Sequence, residues 1–228
     1  MDGVRYPVVE LRQYRLRPGQ REVLVELFDR EFVESQEAEG MAIVGQFRDL
    51  DDPDRFVWIR GFDDMPSRAR ALAAFYGGPA WKAHSAEANA TMIDSDNVLL
   101  LRPVTAQSGF PAPATARLPA GATPPGSARI LVTLYYRDQP FDDDFADFFG
   151  RRARAALIEA GATPLACLQT EHAENTFPAL PVRTGENVFA SLARFPSEAH
   201  LDGYLRQIGS SGAAQQLRLA PTVRSLLR

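Results

Sequence analysis

The sequence predicts an α+β fold in which two similar βαββαβ halves pair face to face within one chain. The length of 228 residues fits one large domain or two small ones. A composition of 45% hydrophobic and 24% charged residues is typical of a folded globular chain. A stretch rich in proline and glycine, residues 105–127, separates two segments with the same order of strand and helix patterns. The predicted units are therefore a first half at 1–104, a linker at 105–127 and a second half at 128–228.

The elements of the first half follow from hydrophobic periodicity. Alternating apolar residues predict strands, and an apolar stripe of helical period predicts a helix that ends at Gly40. The predicted order is a strand at 8–16, a helix at 20–39, strands at 43–48 and 55–62, a second helix from Pro66 and a strand at 98–102.

The second half repeats this order. A strand is predicted at 130–136, a helix at 141–160 that Gly161 ends, strands at 165–170 and 188–195, a helix from Ser197 to 208 and a last strand at 222–228. The common order predicts an internal duplication. Each half is then a ferredoxin-like unit, a four-stranded antiparallel sheet with helices on one face. The bare faces must be covered, so we expect them to close into an intramolecular dimeric α/β-barrel that encloses a small-molecule ligand.

Five segments of the first half resemble a known family in order and spacing. They are VELRQYRLRPG at 9–19, VGQF at 44–47, WIRGF at 58–62, RAR at 68–70 and GPAW at 78–81. Together they are similar to the NIPSNAP family, and the second half resembles it only in architecture. The resemblance implies the dimeric α/β-barrel fold. It leaves the activity open, because similar barrels include cofactor-independent monooxygenases, cyclases, isomerases, haem-using enzymes and binding proteins.

Strand alternation predicts which side chains face the barrel interior. Val9 and Leu11 are expected beneath the helices, with the alternating polar and aromatic residues inside the barrel. The candidates on this inner face are Glu10, Arg12, Tyr14, Gln46, Trp58 and Arg60. Arginine would hold an anionic or carbonyl oxygen of a substrate. Alternatively, Glu10, Arg12 and Arg60 form a buried ion network that only joins strands.

Two further groups are candidates because of their position. His84 follows Trp81 by three residues and shares a helical face with it, so it is a candidate general base, or else a histidine that packs between helices. Glu171 and His172 open a long connection at 170–183 that is a candidate lid over the cavity, or else a solvated loop.

Composition excludes several classes of function. A net charge of −4 argues against a nucleic-acid partner, and a single cysteine excludes an internal disulfide or a thiolate metal cage. We expect a cytoplasmic protein with no membrane segment, no metal and no cofactor, and a homo-oligomer stays open.

The function favoured is a cofactor-free enzyme for an aromatic or polyketide-like substrate, with monooxygenase, cyclase or isomerase chemistry. Arg12 and Tyr14 would stabilise an oxyanion, and His84 or a carboxylate would move a proton. The alternatives are a non-catalytic binding or scaffold protein and, third, a haem-binding barrel.

Overall fold

In a computed structural model, nine strands form one antiparallel sheet. The structure describes residues 5–123, 126–142, 144–145, 149, 154–208, 212 and 214–228. Eight of the strands close into a barrel in the order β1-β3-β2-β9-β6-β8-β7-β5, and the ninth, β4, extends the sheet from β1. The strands are β1 (Val8–Leu16), β2 (Ala42–Asp49), β3 (Arg55–Phe62), β4 (Met92–Asp94), β5 (Val98–Pro103), β6 (Arg129–Arg137), β7 (Thr163–Thr170), β8 (Asn187–Phe195) and β9 (Gln215–Pro221).

Each half of the chain contributes four strands to the barrel. Within the halves the orders are β2-β3-β1-β5 and β7-β8-β6-β9, and the pairs β2–β9 and β5–β7 join one half to the other. The two joining ladders hold three residue pairs each, against eight between β1 and β3. The barrel is confirmed as one continuous antiparallel sheet, and the internal duplication stays a prediction.

Helices cover the outer face of the sheet. They are α1 (Arg21–Leu27), a π-helical turn (Phe28–Phe32), α2 (Val33–Ala38), α3 (Met65–Gly77), α4 (Pro79–Thr91), α5 (Arg154–Glu159) and α6 (Glu198–Ile208). The first three form the helical stretch predicted at 20–39, and it ends where Gly40 adopts a φ of +88°. Of the helix predicted at 141–160, residues 143, 146–148 and 150–153 lie outside the described part. None of the described helices has the length and apolar character needed to cross a bilayer.

The described residues of the barrel interior form a packed apolar core. All eight strands contribute buried aliphatic or aromatic side chains to one cluster, together with Phe110 of the linker and Leu227 near the C-terminus. The strand residues of this cluster are Val9, Leu11, Val44, Phe47, Val57, Ile59, Leu99, Leu101, Ile130, Val132, Leu134, Ala166, Leu168, Val188, Ala190, Leu192, Leu217 and Leu219.

The expected orientation of β1 is therefore wrong. Val9 and Leu11 point into the barrel, whereas Tyr14 packs with the helices, and Glu10 and Arg12 share its side of the strand. The physical reason is that the interior is enclosed by sheet on every side and keeps water away from all its residues. Mostly aliphatic residues fill it, and Glu10 and Arg12 lie on the face that helices cover.

The last strand also differs from its prediction. The strand β9 is Gln215–Pro221, and residues 222–228 continue without regular secondary structure. The final segment is nevertheless largely buried, with Leu227 in the barrel core. Its other buried residues, Thr222, Arg224 and Ser225, are polar, and the segment is buried without joining the sheet.

Candidate active site

The candidate site lies between the outer face of the first-half sheet and the helices α1 to α4. Antiparallel pairing of β1 with β3 places Glu10 opposite Arg60 and Arg12 opposite Trp58. The helix α3 adds Arg68, which is fully buried on the same helix face as Leu72. Three elements distant in sequence thus bring three guanidinium groups to one carboxylate.

All three arginines bind the carboxylate of Glu10. Its Oε2 accepts hydrogen bonds from Nη1 of Arg12 and from Nε of Arg60, each at 2.7 Å. Its Oε1 accepts one from Nε of Arg68, also at 2.7 Å. All four side chains are at most 1% exposed. Short charge-assisted bonds of this kind are the strong ones in proteins, so the cluster is rigid.

The cluster carries more positive than negative charge. Burial opposes ionisation of Glu10, but the nearby charges of Arg60, Arg12 and Arg68 outweigh it and hold the pKa of the carboxyl far below its usual range. One carboxylate therefore faces three guanidiniums, and Nη2 of Arg60 and Nη2 of Arg68 are buried without a hydrogen-bond partner among the described residues. The ring of Trp58 offsets part of this excess, since Arg12 and Arg60 lie 5.5 and 5.0 Å from its centroid.

Tyr14 connects this cluster to a cavity. Nε of Arg12 donates a hydrogen bond to the Tyr14 hydroxyl at 3.0 Å, so the hydroxyl proton itself is free for another acceptor. Burial raises the pKa of Tyr14 above its ordinary value of 10, although the charge of Arg12 opposes this shift. The phenol is therefore protonated at neutral pH and can donate into the cavity.

The cavity has a volume of about 80 Å³ and a mainly aromatic wall. Its aromatic lining residues are Tyr14, Phe28, Phe32, Trp58, Phe75, Tyr76 and Trp81. Polar groups at the wall include the amide of Gln36, which accepts a hydrogen bond from Arg60, and the indole NH of Trp58, which has no partner among the described residues. Aromatic walls with a few polar groups are typical of sites for small aromatic molecules.

A loop from the second half covers this first-half cavity. Leu180 lines it, and Phe177 stacks on Tyr76 with ring centroids 5.9 Å apart. Asn175 and the hydroxyl of Thr176 accept hydrogen bonds from Nη1 of Arg68 at 2.9 and 3.2 Å. The long connection between β7 and β8 was predicted as a lid over a cavity inside the barrel, whereas it lies over this cavity on the outer face of the first-half sheet. It is tied directly to the charged cluster through Arg68.

The remaining predicted site residues lie apart from the cluster. Gln46 is fully buried beside Trp58 in the neighbouring strand, with no partner for its amide among the described residues, but it does not line the cavity. His84 lies outside the cavity wall with its Nε2 at 3.4 Å from Glu31. Glu171 is at the surface with an oxygen 4.0 Å from Arg102, and His172 is exposed.

Sequence reasoning missed two members of the site, Arg68 and Gln36. Arg68 lies on the apolar stripe of α3, because it shares the helical spacing of the buried residues that follow it, Ala71, Leu72 and Phe75. Gln36 follows Phe32 by four residues on the buried face of the first helical stretch. A long polar residue on an apolar helical stripe was the available signal, because such a residue is buried only with a partner.

The described residues contain no group of three or more histidine, cysteine, aspartate or glutamate side chains that could hold a metal ion.

Comparison with known proteins supports the fold, and one family model matches part of the chain. Residues 9–107 match the NIPSNAP family model. A candidate monooxygenase from Fusobacterium nucleatum is 10% identical, with a TM-score of 0.52 over 99% of this chain and 94% of its own. One from Lactobacillus acidophilus is 13% identical, with a TM-score of 0.51 over 97% of each chain. A NIPSNAP family protein from Agrobacterium tumefaciens is 21% identical over 42% of this chain and 92% of its own, with a TM-score of 0.40. No curated protein matches the sequence.

Proposed function

Residues 9–107 are a NIPSNAP domain, and from this premise we propose that the protein is an enzyme that binds a small aromatic or polyketide-like substrate as its oxyanion. The observation that carries the proposal is the cluster of three buried guanidiniums around one carboxylate, next to an aromatic cavity. A buried excess of positive charge favours the anionic form of any phenol or enol nearby.

Tyr14 is the group that touches the substrate oxygen. Its hydroxyl is held by Arg12 and donates its own proton toward the cavity, so it serves as a preorganised oxyanion donor. The phenolate or enolate is electron-rich at carbon. In a cofactor-free oxygenation that carbon forms a bond to molecular oxygen, and the resulting hydroperoxide loses water to leave a carbonyl. In an isomerisation the same anion takes back its proton at another atom.

The fold is consistent with this chemistry. Two candidate monooxygenases share the architecture over nearly the whole chain. We further propose that the halves are tandem ferredoxin-like repeats and that the first half carries the reaction. The cavity of about 80 Å³ is smaller than the 150 Å³ or so that holds a benzene ring. Entry of a ring therefore requires an outward shift of Leu180 and its loop.

A second candidate is a non-catalytic protein that binds the same oxyanion. It is favoured by one observation: the described residues of the cavity wall include neither a carboxylate nor a histidine that could remove a proton. Such a protein would hold its ligand with Arg12 and Tyr14 and leave it unchanged.

Turnover separates the two candidates. Small phenols, hydroquinones and 1,3-diketones are incubated with the protein in an oxygen electrode, and products, including isomers of the substrate, are identified by chromatography and NMR. Turnover is expected for at least one class, and Tyr14→Phe is expected to lower kcat/KM by about 100-fold because it removes the oxyanion donor. Tyr204→Phe is the matched control, because Tyr204 is a buried tyrosine of α6 in the other half. Binding without turnover would support the non-catalytic candidate, and neither binding nor turnover would overturn both.

A further inference from the structure

The second half holds a larger cavity at the corresponding place. Its volume is about 250 Å³, and it lies between the outer face of β7 and β8 and the helix α5. Among the described residues its wall includes Phe149, Leu157, Cys167, Phe189 and Ser191. This cavity belongs neither to the barrel interior nor to the charged cluster.

Strand register shows which positions of the two halves correspond. In both halves a tyrosine of the first strand pairs with a phenylalanine of the neighbouring strand: Tyr14 with Phe56 in the first half and Tyr135 with Phe189 in the second. Two residues further along, the pair Arg12–Trp58 of the first half corresponds to Thr133–Ser191 of the second. After two more residues, Glu10–Arg60 corresponds to Leu131–Ala193.

The helices correspond in the same way. Gln36 lies four residues before Gly40, and Leu157 lies four before Gly161, and both glycines have positive φ after the helix. Arg68 lies six residues after Phe62, where β3 ends. The residue at the same distance from Phe195, where β8 ends, is Leu201, which is buried and apolar.

The substitutions remove the charge and open space. At the positions of the charged cluster the second half has uncharged residues. Leu131 corresponds to Glu10, and the three arginines Arg12, Arg60 and Arg68 correspond to Thr133, Ala193 and Leu201. Leu157 corresponds to Gln36. Ser191 stands where Trp58 fills the first-half site, and this accounts for the larger cavity. Aromatic side chains line both cavities, but none of the second-half positions that correspond to the charged cluster carries an ionisable side chain.

The polar residues that the structure describes in the wall of the second cavity are neutral, except for the exposed Arg154. Burial raises the pKa of Cys167 to about 11, so the thiol is uncharged at neutral pH. The hydroxyl of Ser108 already donates to a backbone carbonyl. Arg154 is the one charged residue among the described lining residues, and it is exposed.

We propose that this cavity is a second binding site, specific for an uncharged apolar molecule of about the size of a substituted benzene ring. A cavity of about 250 Å³ exceeds the roughly 150 Å³ that takes up benzene in an engineered apolar cavity. An ionised ligand would lose its hydration, and the described lining residues include no buried counter-charge to replace it. The protein therefore holds two sites of opposite preference, anionic in the first half and neutral in the second.

Fluorine NMR with 4-fluorotoluene and 4-fluorobenzoate as probes tests this site. Saturable binding of 4-fluorotoluene is expected. Ser191→Trp restores the residue type of the first half, fills the cavity and is expected to weaken binding by about tenfold or more. Ser191→Ala keeps the volume and is expected to bind the probe as the unaltered protein does.

Unchanged binding of 4-fluorotoluene in Ser191→Trp, absence of saturable binding of 4-fluorotoluene, or binding of 4-fluorobenzoate that is tighter than that of 4-fluorotoluene and is weakened by Ser191→Trp would each overturn the proposal. Folding of the tryptophan variant is checked by near-ultraviolet circular dichroism. If it does not fold, Cys167→Met reduces the same cavity with a smaller change and is expected to weaken 4-fluorotoluene binding in the same direction.

Discussion

Replacing Glu10 by glutamine removes the negative charge on which the whole cluster depends. The side chain keeps its shape, but three buried guanidiniums then face an amide that has one donor group and no charge. Removing one partner of a buried ion pair costs about 3–5 kcal/mol because the opposite charge is left uncompensated. We expect a loss of that size in the free energy of unfolding. For a chain of this length that is a fall in Tm of roughly 6–20 °C, at about 2–4 °C per kcal/mol.

Urea unfolding of Glu10→Gln measures the loss, with Glu22→Gln as the matched control. Glu22 also pairs with an arginine, Arg48, but both side chains are partly exposed, Glu22 by 53% and Arg48 by 29%. Exposed pairs contribute about 0–1 kcal/mol, so the control is expected to lose no more than that. A loss in Glu10→Gln equal to that of the control would refute the reasoning, because it would show that the guanidiniums do not need the carboxylate.

Three further outcomes follow from the electrostatics. Because the pKa of Glu10 is lower in the folded state, its contribution to stability is present above the unfolded pKa near 4.5 and is lost progressively as pH falls below it. The urea midpoint is therefore expected to fall more steeply between pH 5 and pH 3 in the unaltered protein than in Glu10→Gln. Burial raises the pKa of Asp29 to about 6, so the folded state favours the protonated side chain and becomes less stable as pH rises through 6 and the side chain ionises. Asp29→Asn removes this ionisation and is expected to raise the urea midpoint more at pH 8 than at pH 4.5. With a pKa of about 11, the thiol of Cys167 is expected to react with iodoacetamide slowly in the folded protein and rapidly in urea at pH 8, and equal rates would contradict its burial.

Hydrophobic periodicity was sufficient to predict most of the fold. The strand at 55–62 was predicted with the bounds that the structure shows, and the strand order in each half follows from the predicted βαββαβ arrangement. Periodicity could not determine which face of β1 is inside the barrel. Both faces are buried, one by the opposite sheet and one by helices, so an alternating pattern has two equally good orientations until the partner of each face is known.

The site was predicted in part for the same reason. The polar residues of β1 and β3 were singled out because they break an apolar strand pattern, and they do lie together. The contribution of Arg68 depends on how a helix packs on the sheet, which local sequence does not determine. The cover from the second half depends on closure of the barrel, since Leu180 is about 170 residues from β1 in sequence. His84 shares a helix with Trp81 but lies on its outer side against Glu31.

The preference of the first-half cavity for an oxyanion is measured most directly with 4-nitrophenol, whose colour reports its ionisation. The absorbance of the bound probe is followed against pH in the Ser191→Trp variant, so that the second cavity does not contribute. Binding beside the excess of guanidiniums is expected to lower the apparent pKa of the probe, and Arg12→Met or Tyr14→Phe is expected to reduce that shift. An apparent pKa that is raised on binding, or a shift that both variants retain, would contradict the account.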